Sequence, residues 1–348
     1  MPLFKTAAVF GDIHFGDRSD SPVHNQDCMN YIDWFCEQAA AAEADRILFL
    51  GDWFDNQSRL RLDTHYYGTT ALKRLLEVAP VEMLVGNHDM FFKHSRDIHS
   101  ICAYEMWPNV RVHNRCTILD GVGLVPFLVG TEYLEVIQME AKYLFGHFEL
   151  PRFLTNATIE FRDTGQFNSD QLMAPEMVFS GHFHKRQVKT NRTGVPVWYI
   201  GNPFGHDFND VGDTERGMMV LRWGEQPQFI DWQQGPLYQR FIASDVVSML
   251  ESKTLQENTR PTSILEIKDD VGLELEDVNL IRQELSLLVR ETRLIPRSNT
   301  AGIEDSDVVS DLNGQSLEDI VVGQLEKIDP HGSDIDPKVL VGLFKGDR

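Results

Sequence analysis

Asp12, His14, Asp52, Asn87, His147, His182 and His184 are residue types that bind divalent cations, and each follows closely on a short apolar run. TAAVF precedes Gly11-Asp12-Ile13-His14, RILFL precedes Gly51-Asp52, and VEMLV precedes Gly86-Asn87-His88-Asp89. KYLF precedes Gly146-His147, and EMVF precedes Ser180-Gly181-His182-Phe183-His184. Two hard or borderline cations held close together need a bridging carboxylate, with imidazoles and a carbonyl-type oxygen completing each shell. The seven residues supply that set. A single DxH or GHxH occurs by chance in many proteins, whereas five such motifs in order carry real information.

Something must bring these motifs together. Apolar runs of four to six residues suit strands buried on both faces, and helical segments between them suit an α/β layered core. Residues 25–42 place Met29, Ile32, Phe35, Cys36 and Ala39 at helical spacing. Residues 64–79 predict a second helix, entered at Thr64 as N-cap and ended by Pro80. Side chains that follow strand C-termini collect along one sheet edge, so the five motifs are expected to converge. Alternate residues of an extended segment share a side, which would aim Asp12 with His14 and His182 with His184. Glycines 11, 51, 86, 146 and 181 would supply sharp turns and close backbone approach.

Beyond VPVWYI (195–200) and Gly201-Asn202-Pro203 the character changes. MMVLRW (218–223) and PQFIDW (227–232) are strand-like, and a small α+β domain is expected next. There SILEIKDD predicts a strand, and residues 278–291 a helix with Leu280, Ile281, Leu285 and Leu288 on one face, closed by Pro296. RSNTAGIEDSDVVSD is polar and acidic enough for a linker. Ser316-Leu317-Glu318-Asp319 resembles a capping box before IVVGQLEKI, and PKVLVGLF follows. These two amphipathic pieces suit either docking to a partner or packing on their own domain. The expected division is 1–235 catalytic, 236–297 cap, and 298–348 linker and docking tail.

With 348 residues the chain can hold one large core and a smaller appended domain. No apolar stretch approaches the ~20 residues of a membrane span, and MPLFKTAAVFGD lacks the apolar core of a signal peptide. Cys28, Cys36, Cys102 and Cys116 show no CxxC pairing, which predicts reduced thiols in a cytoplasmic setting. A net charge of −21 argues against gripping nucleic acid through a broad basic surface. Part of that charge is local, because residues 300–340 hold ten acidic residues against Lys327 and Lys338. Contact with a polyanion would then need cations, a few local basic residues, or a partner.

In this order, D-x-H, G-D-x-x-D, G-N-H-D, G-H and G-H-x-H resemble the calcineurin-like metallophosphoesterases over roughly residues 5–205. Within them, GDWFD, GNHD and the YIGNP segment after GHFH are similar to the SbcD/Mre-type DNA repair nucleases. The length and the GHFE segment resemble those of bacteriophage recombination endonuclease subunits, which would place the chain in a host cytoplasm. The resemblance implies a two-layered β-sandwich flanked by helices, with a small α+β cap and a helical C-terminal tail. It implies one metal on Asp12, His14, Asp52 and His184 and another on Asp52, Asn87, His147 and His182, with Asp52 bridging. Manganese is the family's usual metal, and magnesium also suits such ligands. His88 matches the histidine that contacts the scissile phosphate and protonates the leaving oxygen, and Asp89 would orient it. At Asp55 some relatives carry a histidine that positions substrate, so no direct role transfers. The implied reaction is in-line attack by an activated water on a DNA phosphodiester. The implied partners are DNA, an SbcC-type SMC-like ATPase, and a second copy of the chain within a heterotetramer, with 64–79 as a candidate pairing helix.

Two other classes compete. A small-substrate phosphodiesterase or phosphatase would use the same ligands, although such phosphatases often carry Arg where Asn56 follows Asp55. A non-catalytic scaffold is disfavoured by retention of every ligand and of His88. Lys185 and Arg186, and likewise Lys93, His94 and Arg96, could touch phosphate or be solvated charges. His206 and Asp207 are read as loop residues, because the two-metal set is full without them. His24, His65, His99, His113 and His331 match no motif and are read as structural, and Trp198 and Tyr199 as core.

Overall fold

The computed structural model describes residues 1–163 and 165–297. In the strand Thr6–Phe10, Ala8 and Phe10 join one apolar cluster while Ala7 and Val9 join another, so both faces are buried. That strand lies inside a six-stranded sheet ordered Gln228–Asp231, Gly217–Arg222, Thr6–Phe10, Arg46–Phe49, Val81–Leu84 and Val110–His113. From Thr6–Phe10 onward the neighbours are parallel, and the two C-terminal strands pair antiparallel at the other edge.

A second six-stranded sheet runs in the order Gln187–Thr190, Pro196–Tyr199, Met177–Gly181, Tyr143–His147, Val122–Val125 and Thr117–Leu119. Its four central strands are parallel. Val9, Leu48, Leu84, Phe145, Phe179 and Met219 meet between the sheets, giving the expected two-layered sandwich.

Helices Pro22–Ala41 and Leu62–Val78 cover the outer face of the first sheet. The first begins with Ser21 accepting from the His24 N–H and with Pro22 in the first turn. Tyr31, Ile32, Phe35 and Ala39 make its buried stripe, and Phe35 packs 4.5 Å from Phe10 between ring centroids. Truncating such a ring to Ala costs about 3–5 kcal/mol. The second helix starts two residues before the expected N-cap. Thr64 lies inside its first turn, where its Oγ1 donates to Asp20 at 2.7 Å and accepts from Asn25 at 3.1 Å.

Residues 237–295 carry an apolar cluster of their own, with Val246, Leu265, Ile267, Ile281 and Leu285 at its centre. Strands Leu237–Ile242, Ser263–Lys268 and Glu291–Ile295 form a parallel sheet, joined by helices Ala243–Ser252, Leu255–Asn258 and Leu275–Ser286. The expected helix to residue 291 therefore ends at Ser286, and the residues before Pro296 are an edge strand paired with Ser263–Lys268. Leu280 faces solvent while Ile281 and Leu285 are buried. Arg290 ties this unit to the first helix through a bidentate pair with Asp27, at 2.6 and 2.9 Å. The expected acidic linker and docking tail, and His331, lie outside the described residues. Among the described residues, no helix is long and apolar enough to cross a membrane.

Candidate dimetal centre

Each of the five motifs leaves the C-terminal end of a parallel strand or sits on it, and the two sheets contribute from opposite sides of one seam. Asp12, His14, Asp52 and Asn87 follow strands of the first sheet, while His147, His182 and His184 end or follow strands of the second. The local backbone is not the extended segment expected. Asp12, His14, Asp52 and His182 adopt left-handed conformations, with φ of 55°, 51°, 62° and 83°. Such geometry costs roughly 1–2 kcal/mol per non-glycine residue and persists only where the surroundings impose it. Here the Asp12 and Asp52 turns are zipped together, with Asp12 N–H donating to Gly51 at 2.9 Å and His14 N–H to the Asp52 carbonyl at 3.2 Å. Two glycines are obligatory for this approach. A Cβ at Gly86 would fall on the Asp52 carboxylate, and Gly51, at φ 102°, packs against the His147 ring.

The donor atoms converge. Asn87 Oδ1 lies 3.0 Å from His147 Nε2 and 2.8 Å from His182 Nδ1, and those two nitrogens are 3.2 Å apart. Asp52 Oδ2 lies 3.3 Å from His147 Nε2 and 3.6 Å from His14 Nε2. His147 donates through Nδ1 to the Leu50 carbonyl at 2.6 Å, which turns Nε2 toward the cluster. His182 likewise spends Nε2 on Glu149 Oε1 at 3.2 Å and turns Nδ1 inward. An inward-facing nitrogen from each of the two imidazoles, an amide oxygen and a carboxylate oxygen thus meet at one point. A second group, of Asp12, His14 and Asp52, brings one ligand atom from each within 4.8 Å. In it Asp12 Oδ2 and both ring nitrogens of His14 are buried without a hydrogen-bond partner.

Titration points the same way. Burial pushes the Asp12 carboxyl up to about 6 against the opposing pull of His147. Burial also opposes the charge on His147, but Asp52 and Asp12 outweigh it and push the imidazole up to about 9. With protein groups alone, a proton on His147 answers part of that buried negative charge. Divalent cations satisfy the same lone pairs and carboxylates directly, so the residues fit a dimetal centre in which Asp52 belongs to both groups. His184 stands 5.4 Å from His14 between ring centroids, and burial holds its imidazole well below the usual range.

His88 is placed differently. Its backbone N–H donates to Asp52 Oδ1 at 2.8 Å, while the ring projects toward solvent with 38% of the side chain exposed. Nδ1 donates to the Asp55 carbonyl at 2.8 Å, and the Asp55 carboxylate lies 3.4 Å from the same nitrogen. Although burial opposes it, this contact with Asp55 and the field of Asp52 push His88 up to about 10. Asp89 does not orient His88. Its carboxylate accepts from the N–H groups of Asp52, Trp53, Phe54 and Gly86 at 3.0 to 3.3 Å, and from Ser100 Oγ at 3.0 Å. It therefore holds the turn that carries Asp52, and the orienting role falls to Asp55.

These groups open on a cleft of about 420 Å³ lined by the imidazoles of His14, His88, His182, His184 and His206. Asp17, Asp55, Glu149, Asp207 and Asp210 also line it, and among the described residues no lysine or arginine does. Two basic residues considered as phosphate contacts are committed elsewhere. Arg96 is buried on Glu132 at 2.6 and 2.8 Å, and Arg186 pairs with Asp231 at 2.6 Å while lying over Phe229. His99 meets Glu105 and His113 meets Glu82, as structural histidines do. His24 does more than expected, because its Nε2 lies 2.9 Å from the His14 carbonyl, directly behind the site. Sequence reasoning missed Glu149 and set His206 aside as a loop residue. Glu149 stands two residues past His147, just beyond the strand Tyr143–His147 that ends at the site, which was a usable signal.

A family model described as calcineurin-like phosphoesterase matches residues 5–190. The protein named "Putative phosphoesterase 078R" of Invertebrate iridescent virus 3 is 27% identical over 195 residues, which is 51% of this chain and 53% of that protein. The chain thus spans about half the length of that relative. A solved structure described as a dimetal phosphatase from Danio rerio is similar over 63% of this chain and 92% of its own, at 13% identity and a TM-score of 0.38.

Proposed function

Because the chain belongs to the calcineurin-like phosphoesterase family, we propose that its metal centre hydrolyses DNA phosphodiesters, as the nuclease subunit of a recombination and double-strand-break repair complex. One observation carries the choice of a diester. The cleft pairs a complete donor set with a half-exposed, acid-poised His88, yet among the described residues offers no lysine or arginine to clamp a doubly charged phosphomonoester. A diester presents a single negative charge, which the metals can meet alone. The choice of DNA rests on the YIGNP segment and on GDWFD and GNHD, with manganese as the metal and an SbcC-type ATPase as partner.

When bound by this donor set, two divalent cations would supply Lewis acidity toward the phosphoryl oxygens and would activate the attacking water. Asp12, His14, Asp52, Asn87, His147, His182 and His184 would hold that charge in place, and the left-handed turns of Asp12, His14, Asp52 and His182 pre-set four of them, so little reorganisation would accompany reaction. His88 keeps Nδ1 on the Asp55 carbonyl and presents Nε2, which makes no hydrogen bond among the described residues. From Nε2 it delivers a proton to the departing 3′-oxygen. Asp89 fixes the Asp52 turn, and Glu149 fixes the His182 ring.

Labelled duplex, circular single-stranded DNA and a chromogenic diester, each offered in manganese and in magnesium, test the reading. Cleavage of DNA in manganese is expected, and activity confined to the small ester would replace the nuclease with a small-substrate phosphodiesterase. The partner is tested separately. A chain lacking residues 300–348 should keep cleavage but fail to co-purify with the ATPase, and co-purification would place the docking site elsewhere.

A further inference from the structure

His206, three residues past Pro203, is only 6% exposed, and its Nε2 is buried without a hydrogen-bond partner. A ring nitrogen of His206 and one each from His14 and His184 all lie within 4.8 Å of one another. No hydrogen bond links these three rings, although their centroids stand 5.2 to 5.4 Å apart. An unsatisfied buried polar group costs about 1–3 kcal/mol, so the His14 and His206 nitrogens, gathered beside that of His184, call for a common partner.

The loop that carries His206 is tied to the strand end that carries His184. The His206 N–H donates to Asp210 Oδ2 at 2.7 Å, and Asp210 pairs with Arg216 at 2.9 Å. The same guanidinium donates to the His184 carbonyl at 3.3 Å, and Arg18 donates to the His206 carbonyl. Behind the ring, Phe204 and His24 stand 5.2 and 5.3 Å away between centroids. Backbone and ring are therefore both fixed before any ligand arrives. A histidine that served only to fill space would not need its ring nitrogen aimed at two others.

We propose that His206 is a further metal ligand, giving the position served by His14 and His184 a face of three imidazoles in addition to its carboxylates. The inference rests on the dimetal reading above. Its chemical consequence is selectivity. Imidazole nitrogen favours borderline transition cations such as manganese, iron, cobalt and zinc, whereas magnesium prefers oxygen and keeps its water. One of the two positions would then discriminate against magnesium more strongly than the other.

Cobalt(II) titration of the full chain, followed by visible absorption and calorimetry, separates the possibilities. Wild type should bind two equivalents. His206→Ala, and the closer-sized His206→Asn, should weaken one equivalent at least about tenfold, the loss seen even for outer partners of metal ligands. The d–d band of that equivalent should change, and weak magnesium binding should stay as it was. A thermal melt of both variants shows that they are folded, and the Asn variant serves if the Ala variant is not. Unchanged affinity and spectrum in a folded variant would overturn the role of His206 while leaving the dimetal centre intact. Fewer than two cobalt equivalents in wild type would instead overturn the dimetal reading and this inference with it.

Discussion

Two histidine–aspartate pairs with nearly the same separation stand at the back and the front of the cleft. His147 Nε2 lies 3.3 Å from Asp52 with side chains 0% and 2% exposed, and His88 Nδ1 lies 3.4 Å from Asp55 with side chains 38% and 32% exposed. In both, nearby carboxylates raise the imidazole against burial. What differs is the company. At the back, further lone pairs from Asn87 and His182 crowd the same point, so a cation must take the place of the proton. At the front, solvent reaches the ring and its second nitrogen is free, so the proton itself is the useful cargo. Identical side chains thus become scaffold or reagent according to burial and neighbours.

Breaking the back pair should have the largest effect. Asp52→Asn should lose at least one of two bound metals by mass spectrometry and lower kcat/KM about 10⁴-fold or more, because the Asp52 carboxylate belongs to both groups. A variant that kept both metals would remove Asp52 from the bridging position. At the front, His88→Ala should keep two metals while kcat falls about 10²–10⁴-fold. The loss should shrink on a nitrophenyl diester, whose leaving group needs no proton. Equal losses on both substrates would make His88 a positioning residue.

Smaller effects sharpen the contrast. Asp89→Asn should lower stability by about 2–4 kcal/mol in denaturant unfolding, since buried N–H donors of the Asp52 turn would face an amide NH₂. If the variant unfolds like wild type, the Asp52 turn is held by something else. Glu149→Gln should weaken metal binding only about tenfold, because it acts through the His182 ring. A far larger loss would place Glu149 in direct contact with metal.

The sequence exposed the back of the site far better than the front. Strand-end motifs are local, so Asp12, His14, Asp52, Asn87, His147, His182 and His184 could be read before any fold was known. The reason offered for their aim was wrong, because left-handed turns set by contacts between distant strands do what extended segments were expected to do. The Asp89 carboxylate lies next to His88 in sequence, yet it turns inward to four backbone N–H groups that no spacing rule reveals. Arg96 and Arg186 read equally as phosphate contacts or solvated charges until their partners Glu132 and Asp231, 36 and 45 positions away, came into view. His206 was set aside as a loop residue for the same reason, since its neighbours His14 and His184 are brought to it only by the closed sandwich.

The central claim is that two cations share Asp52 at the seam of the two sheets. Crystals equilibrated with manganese and measured at its absorption edge test this directly through anomalous difference density. The account predicts two peaks, each in contact with one oxygen or both of the Asp52 carboxylate. One peak, or two peaks of which either lies away from Asp52, would contradict it.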